Sequence, residues 1–230
     1  NWFNEQLYKD LTINNKKVKI NSHWVPFFTE KYNDLITELE LGYKFNQAIG
    51  NSLNKLTSLQ QLTFGEEFNQ PLGNSLDKLT SLQQLIFGAY YASNFNQPLG
   101  NSLDNLTSLQ QLTFGDNRVF NQPLGNSLDN LPSLQQLTLS MNFNQPLDNS
   151  LDNLTNLQQL TFGHAFNQPL DNSLDNLTSL QQLTFGSVFN QPLGKSLDNL
   201  TSLQQLTFGS YVFNQPLGNS LDNLTSLQQL

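Results

Sequence analysis

The chain has 230 residues, 37% hydrophobic and 12% charged, which is too little apolar material for one large globular core and enough for a thin, repeated one. Its net charge of −8 is unevenly placed: residues 1 to 55 carry seven Lys and six acidic residues, while residues 56 to 230 carry only Lys78, Arg118 and Lys195 against twelve. That acidity argues against a nucleic-acid groove, the lack of cysteine excludes disulfides, thiol nucleophiles and cysteine zinc sites, and no apolar run approaches the roughly 18–20 residues that insert across a bilayer.

Residues 1–34 hold Trp2, Trp24, Phe27 and Phe28 together with two short strand-like pieces, 11–13 and 18–20. They are expected to form an N-terminal cap or degenerate repeat that covers one apolar edge of the stack. From residue 35 to 230 the chain repeats itself. The Phe of a Phe-Asn-Gln tripeptide recurs at Phe45, Phe68, Phe95, Phe120, Phe143, Phe166, Phe189 and Phe213, in steps of 23 to 27 residues, a period that signals a solenoid of about eight repeats.

Within the copy from Phe68, the segment Leu82-Gln83-Gln84-Leu85-Ile86-Phe87 predicts a strand with Leu85 and Phe87 on one face and Ile86 on the other. Gly88 and a stretch of variable length come next. Phe-Asn-Gln-Pro-Leu then leaves the sheet, because Pro has no backbone donor and drives the preceding Gln into extended or polyproline conformation. In Asn-Ser-Leu-Asp-Asn-Leu-Thr-Ser-Leu, a Leu at every third position suits short turns of 3₁₀ type on the outer surface, with Ser as a local cap; Pro132, which replaces Thr in one copy, is compatible with the start of such a turn.

A single unit has too few apolar side chains to offset roughly 1–2 kcal/mol of backbone entropy per residue, so neighbouring units must supply each other's missing wall. The expected fold is a mostly β solenoid of α/β type, with one short parallel strand per repeat and 3₁₀ or polyproline segments on the convex side. "SLDNLTSLQQLTFG" resembles the corresponding stretch of plant-type leucine-rich repeats, and "LTFGxxFNQPL" more closely resembles the FNIP repeats of social amoebae and amoeba-infecting giant viruses. The resemblance covers about residues 35 to 230. It implies a curved or twisted solenoid used for protein–protein contacts, often behind an F-box, which would make the chain the substrate-recognition part of an adaptor if an F-box lies upstream. Residues 1–34 show no recognisable F-box, and the copy at Phe45 has Ala48 and Ile49 where others have Pro and Leu.

Stacking sets identical residues in rows. Asn46, Asn69, Asn96, Asn121, Asn144, Asn167, Asn190 and Asn214 form one, read as a structural ladder at a corner where strand pairing stops. The equivalent Phe residues form a second ladder. Gln60 and Gln61, with their counterparts through Gln204 and Gln205, are expected to project in part from the concave sheet, either as amide ladders or toward a target that is itself repetitive.

A carboxylate row runs through Asp77, Asp104, Asp129, Asp152, Asp175, Asp198 and Asp222, joined by Asp148 and Asp171. It is read as solvated turn chemistry rather than as a calcium site. Five Asn-Leu-Thr triplets between Asn105 and Asn223 match the N-glycosylation acceptor pattern, and their number reflects duplication of the repeat.

Variation is concentrated between the strand and the next Phe, where inserts of different length emerge along one rim, the usual place for recognition on a rigid scaffold. The candidate binding residues there are Tyr90, Tyr91, Arg118, Val119, Met141, His164, Tyr211 and Val212. His23 and His164 belong to no triad or metal spacing, and no phosphate-cradling Gly loop occurs; no enzyme activity, metal or cofactor is implied. The expected function is recognition of a protein partner through the rim, with the concave Gln/Thr sheet as a second surface, in an intracellular, cytoplasmic setting. The alternative is a structural or virion-associated assembly protein that uses end-to-end or lateral contacts, with self-association expected through an uncapped C-terminal end.

Overall fold

The computed structural model describes residues 11–14, 17–20, 36–88, 93–115, 118–209 and 212–230. Most of the predicted N-terminal unit, including Trp2, His23, Trp24, Phe27 and Phe28, lies outside them. Ten strands form one sheet in chain order: β1 (Leu11–Asn14), β2 (Lys17–Ile20), β3 (Glu38–Leu41), β4 (Gln61–Phe64), β5 (Gln84–Phe87), β6 (Gln111–Thr113), β7 (Gln136–Thr138), β8 (Gln159–Thr161), β9 (Gln182–Phe185) and β10 (Gln205–Phe208). β1 and β2 pair antiparallel, and every later pair is parallel. The result is a parallel β-solenoid whose strands β3 to β10 enclose seven complete turns.

Register follows from the repeat. Leu62, Leu85, Leu112, Leu137, Leu160, Leu183 and Leu206 stand opposite one another and all are buried. A slip by one residue would turn this whole row to the other face, so burial of one face holds the register. Before each of β4 to β10 a Gln carbonyl accepts two donors from the next coil, as when Gln83 N–H and Gln84 N–H donate to Gln60 O at 2.8 and 2.9 Å, and Thr37 O does the same before β3.

The core is a stack of rings. Phenylalanines of the tripeptide pack in one unbroken column from Phe45 to Phe213, with centroids 5.8 to 6.3 Å apart. A second column, at the strand ends, contacts the first within each coil at 4.1 to 4.3 Å. It is interrupted at Leu139, which is buried between Phe114 and Phe162 in sequence.

Among the described residues there is no helix. The outer segments are single turns joined end to end: Ser75 N–H donates to Leu72 O, Leu79 N–H to Leu76 O, and Leu82 N–H to Leu79 O, each at 2.9 Å. Serine acts here as a donor rather than as the acceptor of a helix N-cap. The hydroxyls of Ser102, Ser127 and Ser150 donate to the carbonyls of Leu99, Leu124 and Leu147 at 2.5 to 2.6 Å. Left-handed backbone recurs inside the first of these turns, at Gly73 and its equivalents with φ near 50°, and the same position is filled by Asp148 (φ 45°) and Asp171 (φ 42°). Those two carboxylates therefore sit at a different corner from the Asp77 row.

Candidate functional site

Beside its outer turns the solenoid presents three further surfaces, and each is built differently. At the corner after the rim, Pro prevents sheet pairing, and the Asn side chain takes over the ladder. Asn46 Oδ1 accepts the backbone N–H of Asn69 at 2.9 Å, and the pattern continues through Asn96, Asn121, Asn144, Asn167, Asn190 and Asn214 at 2.8 to 3.0 Å. The neighbouring Gln reinforces it. Gln70, Gln97, Gln122, Gln168, Gln191 and Gln215 each donate Nε2 to the Asn side chain one coil back at 3.0 to 3.4 Å, and Gln145 donates to the backbone carbonyl of Asn121. Sequence reasoning missed these Gln residues, although their constancy beside each Asn was the available signal.

The concave sheet carries Gln61, Gln84, Gln111, Gln136, Gln159, Gln182 and Gln205 in one register row, and Thr63, Ile86, Thr113, Thr138, Thr161, Thr184 and Thr207 in the next. Gln111 donates to Thr113 on its own strand at 3.2 Å. At the N-terminal end this uniform face gives way to Glu38 and Glu40, and Lys17 Nζ pairs with Glu38 at 3.1 Å. Lys17, Glu38, Glu40, Gln61, Thr63 and Ile86 line a hollow of about 170 Å³.

The rim is the irregular surface. Its loops are tied to each other, with Glu67 N–H donating to Tyr43 O at 3.0 Å, Asn94 N–H to Glu66 O at 2.7 Å, Ala165 N–H to Met141 O at 2.8 Å and Val188 N–H to His164 O at 3.2 Å. Asn142 Nδ2 also donates to the carbonyl of Arg118. Many rim backbone groups are thus used between coils.

Of the predicted rim residues, Arg118, Val119, His164 and Val212 are exposed and Met141 is half-buried; Tyr90, Tyr91 and Tyr211 lie outside the described residues. Tyr43, absent from that prediction, is 51% exposed at the same position of the first coil. Its loop, Gly42-Tyr43-Lys44-Phe45, belongs to the copy with the degenerate Ala48-Ile49 flank, which hid the alignment. Among the described residues the exposed large hydrophobic side chains are Tyr43, Val119, Val212 and Leu230, and the first three all stand on the rim.

A hollow of about 460 Å³ runs between Asp148 and Asp171, lined also by Pro146, Gln168 and Pro169, and His164 is not part of its wall. Among the described residues no three His, Asp or Glu side chains are grouped to hold a metal ion, and no helix is long and apolar enough to cross a membrane.

No family model and no curated protein matches the chain. Solved structures do. CroV588, a giant-virus protein with a circular leucine-rich-repeat structure, is similar at 28% identity and a TM-score of 0.66 over 96% of this chain and 34% of its own. Internalin InlF from Listeria monocytogenes is similar at 22% identity and a TM-score of 0.62, over 87% of this chain and 56% of its own. The plant peptide hormone receptor RGFR1, solved in complex with RGF2, is similar at 19% identity and a TM-score of 0.64, over 96% of this chain and 36% of its own. The chain spans about a third of the length of CroV588 and just over half that of InlF. The fold is that of a leucine-rich-repeat solenoid.

Proposed function

We propose that the chain is a non-enzymatic scaffold of FNIP type that recognises a protein partner along its rim, with the concave Gln/Thr sheet as a second surface. One observation carries this reading: Tyr43, Val119 and Val212 are each exposed on the rim, the surface where the repeats differ most. Interfaces concentrate their binding energy on anchors such as Tyr43 and Arg118, with the valines as flanking apolar contacts. Complexes of proteins with this fold, such as RGFR1 with RGF2 and Toll with Spatzle, support a binding role.

The test is a titration. A partner cross-linked to the immobilised chain and identified by mass would be titrated against wild type and against a variant carrying Tyr43→Ser, Val119→Ser and Val212→Ser. The expected result is a loss of affinity of at least about tenfold, which corresponds to about 1.4 kcal/mol. An unchanged Kd would remove the rim, and a loss seen instead on Gln136→Ala with Thr138→Ala would move the site to the concave sheet.

A further inference from the structure

We propose that the convex turns form a column of acceptors for N-linked oligosaccharide, at Asn105, Asn153, Asn176, Asn199 and Asn223. Each begins an Asn-Leu-Thr triplet. In all five the Asn and the Thr are exposed and the Leu between them is buried, at 0 to 6% exposure. The buried Leu is what turns its two neighbours outward, so the repeat that builds the core also leaves every acceptor Asn exposed.

Local geometry agrees with this. Each triplet lies in a chain of turns, as where Leu106 N–H donates to Leu103 O and Leu109 N–H to Leu106 O at 2.9 Å. In the last copy Thr225 N–H donates to Asn223 O at 2.9 Å, which folds the two ends of the triplet toward each other. The pattern requires the Thr hydroxyl and a surface turn, and both are present.

In the transfer, which takes place in a secretory lumen rather than in the cytoplasmic setting expected from the sequence, Asn Nδ2 bonds to the anomeric carbon of an oligosaccharide supplied on a lipid pyrophosphate by the cell's own transferase. The bond from that carbon to the pyrophosphate oxygen breaks, the lipid pyrophosphate leaves with the electron pair, and Nδ2 gives up one proton. The sugar would coat the convex back and leave the rim and the concave sheet clear, so the inference stands apart from the rim reading.

The array contains its own controls. Lys55 and Lys78 occupy the acceptor position in the first two copies, and Asn130-Leu131-Pro132 has no hydroxyl at its third residue. Asn199 is the one acceptor whose Nδ2 donates to a backbone carbonyl, that of Asp175 at 3.2 Å, and it should show the lowest occupancy of the five.

The experiment is expression of the full chain behind a secretion signal in cultured animal cells, with peptide masses read from total cell protein before and after enzymatic release of N-glycans. Glycan on three or more of the five asparagines, none on Asn130, and a new glycan at Asn130 in Pro132→Thr are expected. Glycan on two or fewer of the five, or a bare Asn130 in Pro132→Thr, would overturn the proposal.

Discussion

The ring columns and the rim are made by the same coils, yet one is nearly invariant and the other changes at every turn. Phe166 touches Phe143, Phe162 and Phe189 at 6.2, 4.1 and 6.1 Å, so each ring is a wall for the coil before and the coil after. His164, two residues earlier, is exposed and bonds to the next coil only through its backbone carbonyl. A side chain that serves two neighbours is held to one shape, whereas one whose backbone alone is shared can be almost anything.

The largest test of this contrast is Phe166→Ala. It removes a fully buried ring from the middle of the continuous column, and a cost of about 3–5 kcal/mol is expected from urea denaturation. Since each coil contacts only its neighbours, the unfolding transition should also broaden or split. A single transition with a loss below about 1 kcal/mol would mean that the rings are not what joins the coils.

Backbone contact between coils comes next. A Cβ on Gly163 would lie 1.8 Å from Ser140 O, whereas a Cβ on Gly194, at φ 52°, would meet nothing within 4 Å. Gly163→Ala should therefore cost more than Gly194→Ala, about 1–3 kcal/mol of overpacking against about 1–2 kcal/mol for left-handed backbone. The sharper signature is local: faster amide exchange across β7 and β8 in the first variant and unchanged exchange there in the second. Equal exchange profiles would show that the close approach is relieved by a small shift.

These effects bear on what could be read in advance. Burial of Phe68 follows from a period of 23 to 27 residues, because units that cannot bury their own apolar side chains must stack. Alternation in Leu85-Ile86-Phe87 likewise places β5 without coordinates. The Asn residues could be recognised as a column, but not the direction of their bonds, since an amide oxygen that accepts a backbone N–H 23 to 27 residues away leaves no local pattern. The Gln70 bond, 24 residues back, follows the same rule; the Ser102 bond reaches only three residues back, to Leu99 O, where the expected cap would have made the hydroxyl an acceptor, and Tyr43 was missed because its copy is degenerate. Of the rim, sequence shows where variation gathers, while the exposure of Val119 and Val212 depends on how short loops lean against their neighbours.

Asn144→Ala examines the polar ladder by itself. The change leaves Asn167 N–H and Gln168 Nε2 without the Oδ1 they donate to at 2.9 and 3.1 Å, and a cost of about 1–2 kcal/mol is expected because Gln168 keeps a second acceptor, Asn144 O, at 3.1 Å. Hydrogen exchange should quicken at Asn167 and stay unchanged at Asn214, three coils' worth of ladder away. Uniform quickening along the whole ladder would mean that the column acts as one cooperative unit rather than as a series of separate joints.

The smallest effect should come from the rim itself. Val119 and Val212 are 39% and 49% exposed, so replacing both by Ser removes little buried surface, and the expected change in unfolding free energy is within about 0.5 kcal/mol. This near-silence is informative when set beside the binding titration. If stability holds while affinity falls, the two valines are present for a partner and the frame does not need them. If stability falls by more than about 1 kcal/mol, they belong to the packing that joins one loop to the next, and the distinction between an invariant interior and a free rim would have to be drawn further out.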